Sequence, residues 1–446
     1  MFRFEAGMLL RLGGPLIVNN LAVAGMQFAD AVMAGRLGAQ SLAAVAVGAS
    51  VWFLGFSMVL GIMMAISPIV ARYYGAKQYD LVGRYTRQGI YLAVGFGAGI
   101  TLFGNLLAEP LLTWFGIDNE FRALTVDYVA AISCGAIGIF IFLALRFTTE
   151  GVGHTRPIMY TSVFALVMNV FLNYVLAFGK FGAPALGAVG LGYASAITMW
   201  LVMFALLFYT VSSKTLKPFQ LFSRVAPVRL SVLREVLVLG IPISITITAE
   251  TGLFSIVSVL MGTRGTNITA AHQIAINFAS TMFMIPLALS AAATIRVGHL
   301  LGAQEPARAR FAGVTGIVLC ALFMTASAIF MLLFRDLVVG IYTTDSAVKG
   351  IAISLLLVAA VFQIGDGVQI GAAGVLRGYK DTRMPMLINV FSFWAVGFPL
   401  AFLAAITYRM PPNYTWGGLV AGLSMAAFLL TWRFLRLSRR AIPGAA

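Results

Sequence analysis

Three carboxylates, Asp30, Glu250 and Asp366, fall inside long apolar runs, away from the loops and span ends where the rest of the 15 acids collect. A charge held in hydrocarbon is costly, so such residues face a water-filled path or a partner. A carboxyl group moved out of water holds a proton more readily. Two carboxylates brought together with neutral oxygens can instead cage a dehydrated Na+. Glu250 and Asp366 therefore read as a coupling-ion site for H+ or Na+, and as the metal ligands in the sodium case. Asp30 is a further candidate. No Lys or Arg is expected within a span to neutralise them. Arg146 and Arg296 fall at span ends, where snorkelling accounts for them.

Each acid has polar company at helical spacing. Asn19 and Asp30 project about 20° apart on a helical wheel, with Gln27 flanking. Thr246 and Glu250 are four apart, as are Asn169 and Asn173, and Gln273 and Asn277, while Gln363, Asp366 and Gln369 step along one run. The amides and His272 also suit a plainer role, as hydrogen-bonded glue between helices. The histidines His154, His272 and His299 have no metal-ligand spacing. No cofactor is expected beyond the coupling ion. Cys134 and Cys320 lie in separate spans and imply no disulfide framework.

The elements that must position these groups follow from composition. The chain is 60% hydrophobic and 10% charged. That excludes a water-soluble globular protein and points to an all-α, polytopic membrane protein. Apolar runs long enough to span a bilayer fall near 13–34, 42–68, 88–108, 127–149, 157–179, 188–209, 240–261, 269–295, 315–335, 354–376, 384–406 and 415–436. The first run reads as a span and not as a removable signal peptide. Lys and Arg outnumber Asp and Glu 30 to 15. The N-terminus, the even-to-odd loops and the C-terminus carry 23 of those 30 and the other loops 7, which places both termini in the cytoplasm. The basic excess needs no nucleic-acid partner.

An internal repeat organises the spans. An offset of 227 pairs Pro15 with Pro242, Gly35 with Gly262, Gly75-Ala76 with Gly302-Ala303, Gly151 with Gly378 and Met159 with Met386. One ungapped register over that length predicts twelve helices in two six-helix lobes, related by a pseudo-two-fold along the membrane normal. The expected lobes are 1–210 and 236–446, with a cytoplasmic linker at 211–235. The acids depart from this symmetry: Asp30 faces Val257, Glu250 faces Val23 and Asp366 faces Ile139.

The stretches FADAVMAGRLGAQSLAAVAVG at 28–48, GKFGAPALGAVGLGYA at 179–194, AAHQIAINFAS at 270–280, FMIPLALSAAATIRVGHLLGA at 283–303 and FQIGDGVQIGAAGVLRGYKDTRMP at 362–385 resemble the multidrug and toxic compound extrusion (MATE) transporters. The resemblance covers nearly the whole chain and favours the NorM branch. The DinF-like branch carries an acid where this chain has Asn169 and Asn173. The resemblance implies a secondary antiporter, not an enzyme, exporting lipophilic organic cations in exchange for H+ or Na+ by alternating access. It further implies C-lobe cation-binding acids at Glu250 and Asp366, an N-lobe acid at Asp30, and a substrate cavity between lobes. The polar network Asn19, Gln27, Asn169, Asn173, Thr246, Gln273, Asn277 and Gln363 would line it. A tyrosine common in the family one turn before the second C-lobe acid is Phe362 here, which removes a hydroxyl ligand. A monomer in the bilayer, with small cationic drugs as partners, is expected. Two other readings stand beside this one. A lipid-precursor flippase would call for inward Lys or Arg. An intramembrane aspartyl protease is suggested by Gln363-Ile364-Gly365-Asp366, which lacks the first glycine of GxGD.

Overall fold

A computed structural model describes residues 1–114, 116, 119–221 and 227–442, all of whose regular elements are helical. Part of the expected linker, 222–226, lies outside the described residues. In chain order the long helices are α1 (Phe2–Arg36), α2 (Ala39–Gly75), α3 (Tyr79–Leu106), α4 (Asn119–Ser133), α5 (Ala136–Gly151), α6 (Arg156–Phe178), α7 (Gly187–Ser212), α8 (Leu230–Gly262), α9 (Thr266–Gly302), α10 (Pro306–Leu333), α11 (Ser346–Gly378), α12 (Arg383–Thr407) and α13 (Pro412–Arg440). Eleven are singly long and apolar enough to cross a membrane, and α4 with α5 makes a twelfth span bent by 43°. Most helices outrun their apolar runs, because backbone hydrogen bonding continues after the hydrocarbon ends.

The run 127–149 is therefore one span broken into two helices. The break sits at Cys134-Gly135, where a Cβ on Gly135 would lie 2.7 Å from both the Ala196 Cα and the Met199 sulfur. Close approach selects glycine, and glycine weakens the helix. The freed carbonyls find side-chain donors, as a backbone in lipid requires: Thr101 Oγ1 donates to Ser133 O at 2.8 Å and Trp200 Nε1 to Cys134 O at 3.0 Å.

The chain divides into two compact units, one of residues 18–244 and one of residues 1–17 with 245–446. Both cuts fall inside a helix, two residues after an interior proline (Pro15 in α1, Pro242 in α8), and they are again 227 apart. Within the first unit, the opening half of α8 is seated by Gly240, whose Cβ would meet the Ile62 Cα at 2.6 Å, and by Glu235, which accepts from Tyr85 Oη. Within the second, the opening half of α1 lies with Gly13 against Leu289 and Ala292. Glu5, fully buried, binds Arg296 through two bonds of 2.7 and 2.8 Å. Arg296 is thus ion-paired and not merely snorkelling.

Candidate functional site

In the unit of residues 18–244, two polar clusters hang on α1, α5 and α6. Asp30 accepts a hydrogen bond from Asn173 Nδ2 at 2.5 Å, and Asn173 also donates to Asn169 Oδ1 at 3.1 Å. Asn169 reaches Ser195 Oγ at 3.5 Å, and Tyr128 is an electrostatic neighbour of Asp30. The four-residue spacing of Asn169 and Asn173 puts both amides on one face of α6, turned toward α1. About 16 Å back along α1, from eleven residues of rise, Asn19 begins the second cluster. With its amide oriented to satisfy its neighbours, Asn19 donates to Ser162 Oγ at 2.5 Å and accepts from Arg146 at 3.1 Å. Arg146 in turn pairs with buried Glu150 at 2.7 Å, so it too is an ion-pair partner. Gln27 is exposed and outside both clusters.

In the other unit, α8 and α11 bring Glu250 and Asp366 together as electrostatic neighbours. Arg377 faces Glu250 as well, and Gln369 approaches it without completing a hydrogen bond of ordinary length. Asp366 is 5% exposed, and its Oδ1 has no hydrogen-bond partner. Arg377 is held by Ser290 Oγ at 3.2 Å and Ala373 O at 3.4 Å, and Ser290 donates onward to Ile370 O at 2.7 Å. Two carboxylates and one guanidinium leave this cluster with a formal charge of −1.

Arg377 overturns the expectation that no cation would neutralise the acids. It lies one residue past the apolar run ending at 376, and an arginine side chain in a helix points back toward the N-terminus. That direction was the available signal. Gln363 bridges helices instead of facing an acid: it accepts from Ser327 at 3.0 Å and donates to Ala279 O at 3.4 Å. Gln273 is exposed, and exposed Asn277 accepts from Tyr342 Oη at 3.1 Å. Thr246 is one turn before Glu250 on α8 and half-buried. His272 is fastened between Trp416 Nε1 at 3.1 Å and Ser258 Oγ at 2.8 Å. Phe362 packs on Trp416 and Phe254, with ring centroids at 5.5 and 6.4 Å.

The MatE family model matches residues 15–175 and again 242–403, twice in the repeat register and over more than half of the chain. The chain belongs to the MatE family. Similar relatives include multidrug resistance protein PmpM of Pseudomonas aeruginosa, 38% identical over 99% of this chain and 93% of that protein. A probable multidrug resistance protein NorM of Halalkalibacterium halodurans is 35% identical over 96% of this chain and 93% of that protein. The fold is similar to that of the eukaryotic MATE transporter AtDTX14, with a TM-score of 0.85, 23% identity and full coverage of both chains. A MATE crystal structure in the straight conformation gives a TM-score of 0.90 at 20% identity, over 98% of this chain and 97% of that one. As a MatE protein the chain is a multi-pass membrane transporter and not an enzyme, which overturns the protease reading of Gln363–Asp366. Among the described residues no group of three or more His, Cys, Asp or Glu is placed to hold a metal. A dedicated metal cage of side-chain acids is therefore absent there.

Proposed function

We propose that this MatE protein exports lipophilic organic drugs and dyes from the cytoplasm, exchanging them for H+ or Na+ by alternating access. The observation that carries the reading is the Glu250–Asp366–Arg377 cluster, with its charge of −1 and an unpartnered Asp366 oxygen. One monovalent cation brings the cluster to neutrality. A proton needs only the Asp366 oxygen, whereas Na+ would need that oxygen with Glu250 and the Gln369 carbonyl. An organic cation is attracted by the same charge, so drug and ion oppose one another. The ion resets the cycle only through its differential affinity for the two states. Asp30, with Asn173 and Asn169, offers a second carboxylate to either cation. The moving bodies are the six-span halves, 1–210 and 236–446, except that residues 1–17 travel with the second half and residues up to 244 of α8 with the first. The protein acts as a monomer in the inner membrane with both termini in the cytoplasm.

Uptake of a fluorescent cation into proteoliposomes, under a pH gradient and separately under a sodium gradient, tests the reading. Export is expected to follow one gradient, and Glu250→Gln or Asp366→Asn to abolish it while the protein stays folded in the membrane. Full drug resistance from either variant would overturn the ion role.

A further inference from the structure

Buried polar atoms without a protein partner gather along one route in the unit of residues 1–17 and 245–446. They are Asp366 Oδ1, both amide atoms of Gln369 and of Asn389, Ser392 Oγ, Thr431 Oγ1 and Tyr379 Oη, with Thr382 Oγ1 beside Arg383 at the end of the route; Thr415 Oγ1, in the first turn of α13, lies off it. Gln369, Asn389 and Ser392 are fully buried. A folded protein satisfies such atoms from its own chain or with ordered water.

Helix contacts put these atoms in sequence. On α13, Gly422 lies against the Ser392 carbonyl, Ser424 against Gly365 beside Asp366, and Phe434 against the Tyr379 ring. Gln369 is one turn beyond Asp366 on α11, and Asn389 one turn back from Ser392 on α12. Thr431 is one turn before Phe434 on α13. The route thus descends from Asp366 and Ser392, past Gln369 and Asn389, to Thr431 and Tyr379, about 20 Å by helical rise. It ends at the basic edge carrying Lys380 and Arg383. The turn of α12 around Ser392 is a widened π-helix, Phe391–Gly397.

The repeat supplies an independent comparison. At offset 227, Ile139, Phe142, Ala165 and Val152 stand where this route has Asp366, Gln369, Ser392 and Tyr379. Asn389 is matched by Ser162, which is bonded to Asn19. The same scaffold packs without these polar atoms, so helix packing does not require them.

We infer that a file of buried water runs from Asp366 to Tyr379 between α11, α12 and α13. Each water in such a file accepts one proton and releases another, so a proton crosses without any heavy atom moving. The file rests on the unpartnered atoms and not on ion coupling. Where coupling operates, it deepens that reading by joining Asp366 to the basic face.

Silver ion, small enough to move where water moves and reactive with thiols, is the probe. The full-length protein carrying Cys134→Ser and Cys320→Ala receives Ser392→Cys, or Ala165→Cys or Ser162→Cys at matched and neighbouring places in the other unit. After exposure to silver, denaturation and maleimide labelling count the thiols left free. Ser392→Cys is expected to react at least tenfold faster than Ala165→Cys and Ser162→Cys, and adding Asn389→Leu to remove that reactivity. Phe181→Cys, on a residue 82% exposed, reports that silver is active. Equal rates at the three buried sites overturn the file. So does a Ser392→Cys rate untouched by Asn389→Leu, because water would then arrive by another way. No gradient is applied, so failure here leaves the exchange reading standing.

Discussion

The two units treat buried polar groups in opposite ways. In residues 18–244 they are bonded to each other: Asn173 to Asp30, Asn19 to Ser162 and Arg146, Arg146 to Glu150. Only Asn173 Oδ1 and Arg87 Nε lack partners among the described residues there. In the other unit Asp366, Gln369, Asn389 and Ser392 keep unpartnered atoms. A fully satisfied network rigidifies a core, and a buried polar atom left without a partner is costly. The duplicated scaffold thus carries a bonded polar network in one copy and a run of unpartnered buried polar atoms in the other.

The anchors of the exchanged half-helices offer the strongest way to break this contrast. Arg296→Met leaves Glu5 buried with only the exposed Arg308, at 3.6 Å, as a cationic partner. A loss near 3–5 kcal/mol, about what removing one side of a buried pair costs, is expected. Tyr85→Phe, which removes the hydroxyl bonded to Glu235 in the other unit, is expected to cost about 1.5–3 kcal/mol. Thermal denaturation of both variants in one detergent checks the order, and Tyr85→Phe proving the more damaging would reverse it.

Arg377→Met sharpens the account of the charged cluster. Without the guanidinium the two carboxylates carry −2, so two ions per drug are expected in place of one. The driving-force ratio at which proteoliposome exchange reverses measures this count. An unchanged ratio would mean that Arg377 is only a structural prop for Ser290.

Smaller effects follow from single hydroxyls. Ser162→Ala strips a partner from Asn19 and is expected to cost about 1 kcal/mol. Ser392→Ala removes a hydroxyl with no protein partner and is expected to cost less than that. Paired denaturation curves decide between them.

The slightest effect lies outside the membrane spans, at His154, between α5 and α6. Burial pulls its imidazole below the usual 6.5. The unfolded chain therefore binds the proton more readily, and this contribution to stability is lost as pH falls below about 6.5. The melting temperature of His154→Gln should fall less than that of wild type between pH 7 and pH 5.

Much of this architecture was legible before any coordinates. Twelve apolar runs, a constant offset of 227 and three acids inside those runs are local facts of the chain, and the offset reappears in the doubled family match and in the unit boundaries. Glycine at 135 is visible too, but its kink is not, because only contact with Ala196 and Met199 demands a glycine there. Helical spacing grouped Gln273 with Asn277 and Gln363 with Asp366 on the same helix faces. It could not say which face meets a neighbour, and the first pair turned outward while Gln363 turned to Ser327.

Hydropathy alone determined that this chain spans a membrane many times, because removing backbone from water leaves the helix as the available solution. Register alone determined that it is a duplication. Whether a buried acid has company was decided only in three dimensions. The guanidinium of Arg377 travels back along its helix, and the partners of Asp30 arrive from α6, far away in sequence. Charge compensation depends on distances between side chains that no spacing along one helix contains.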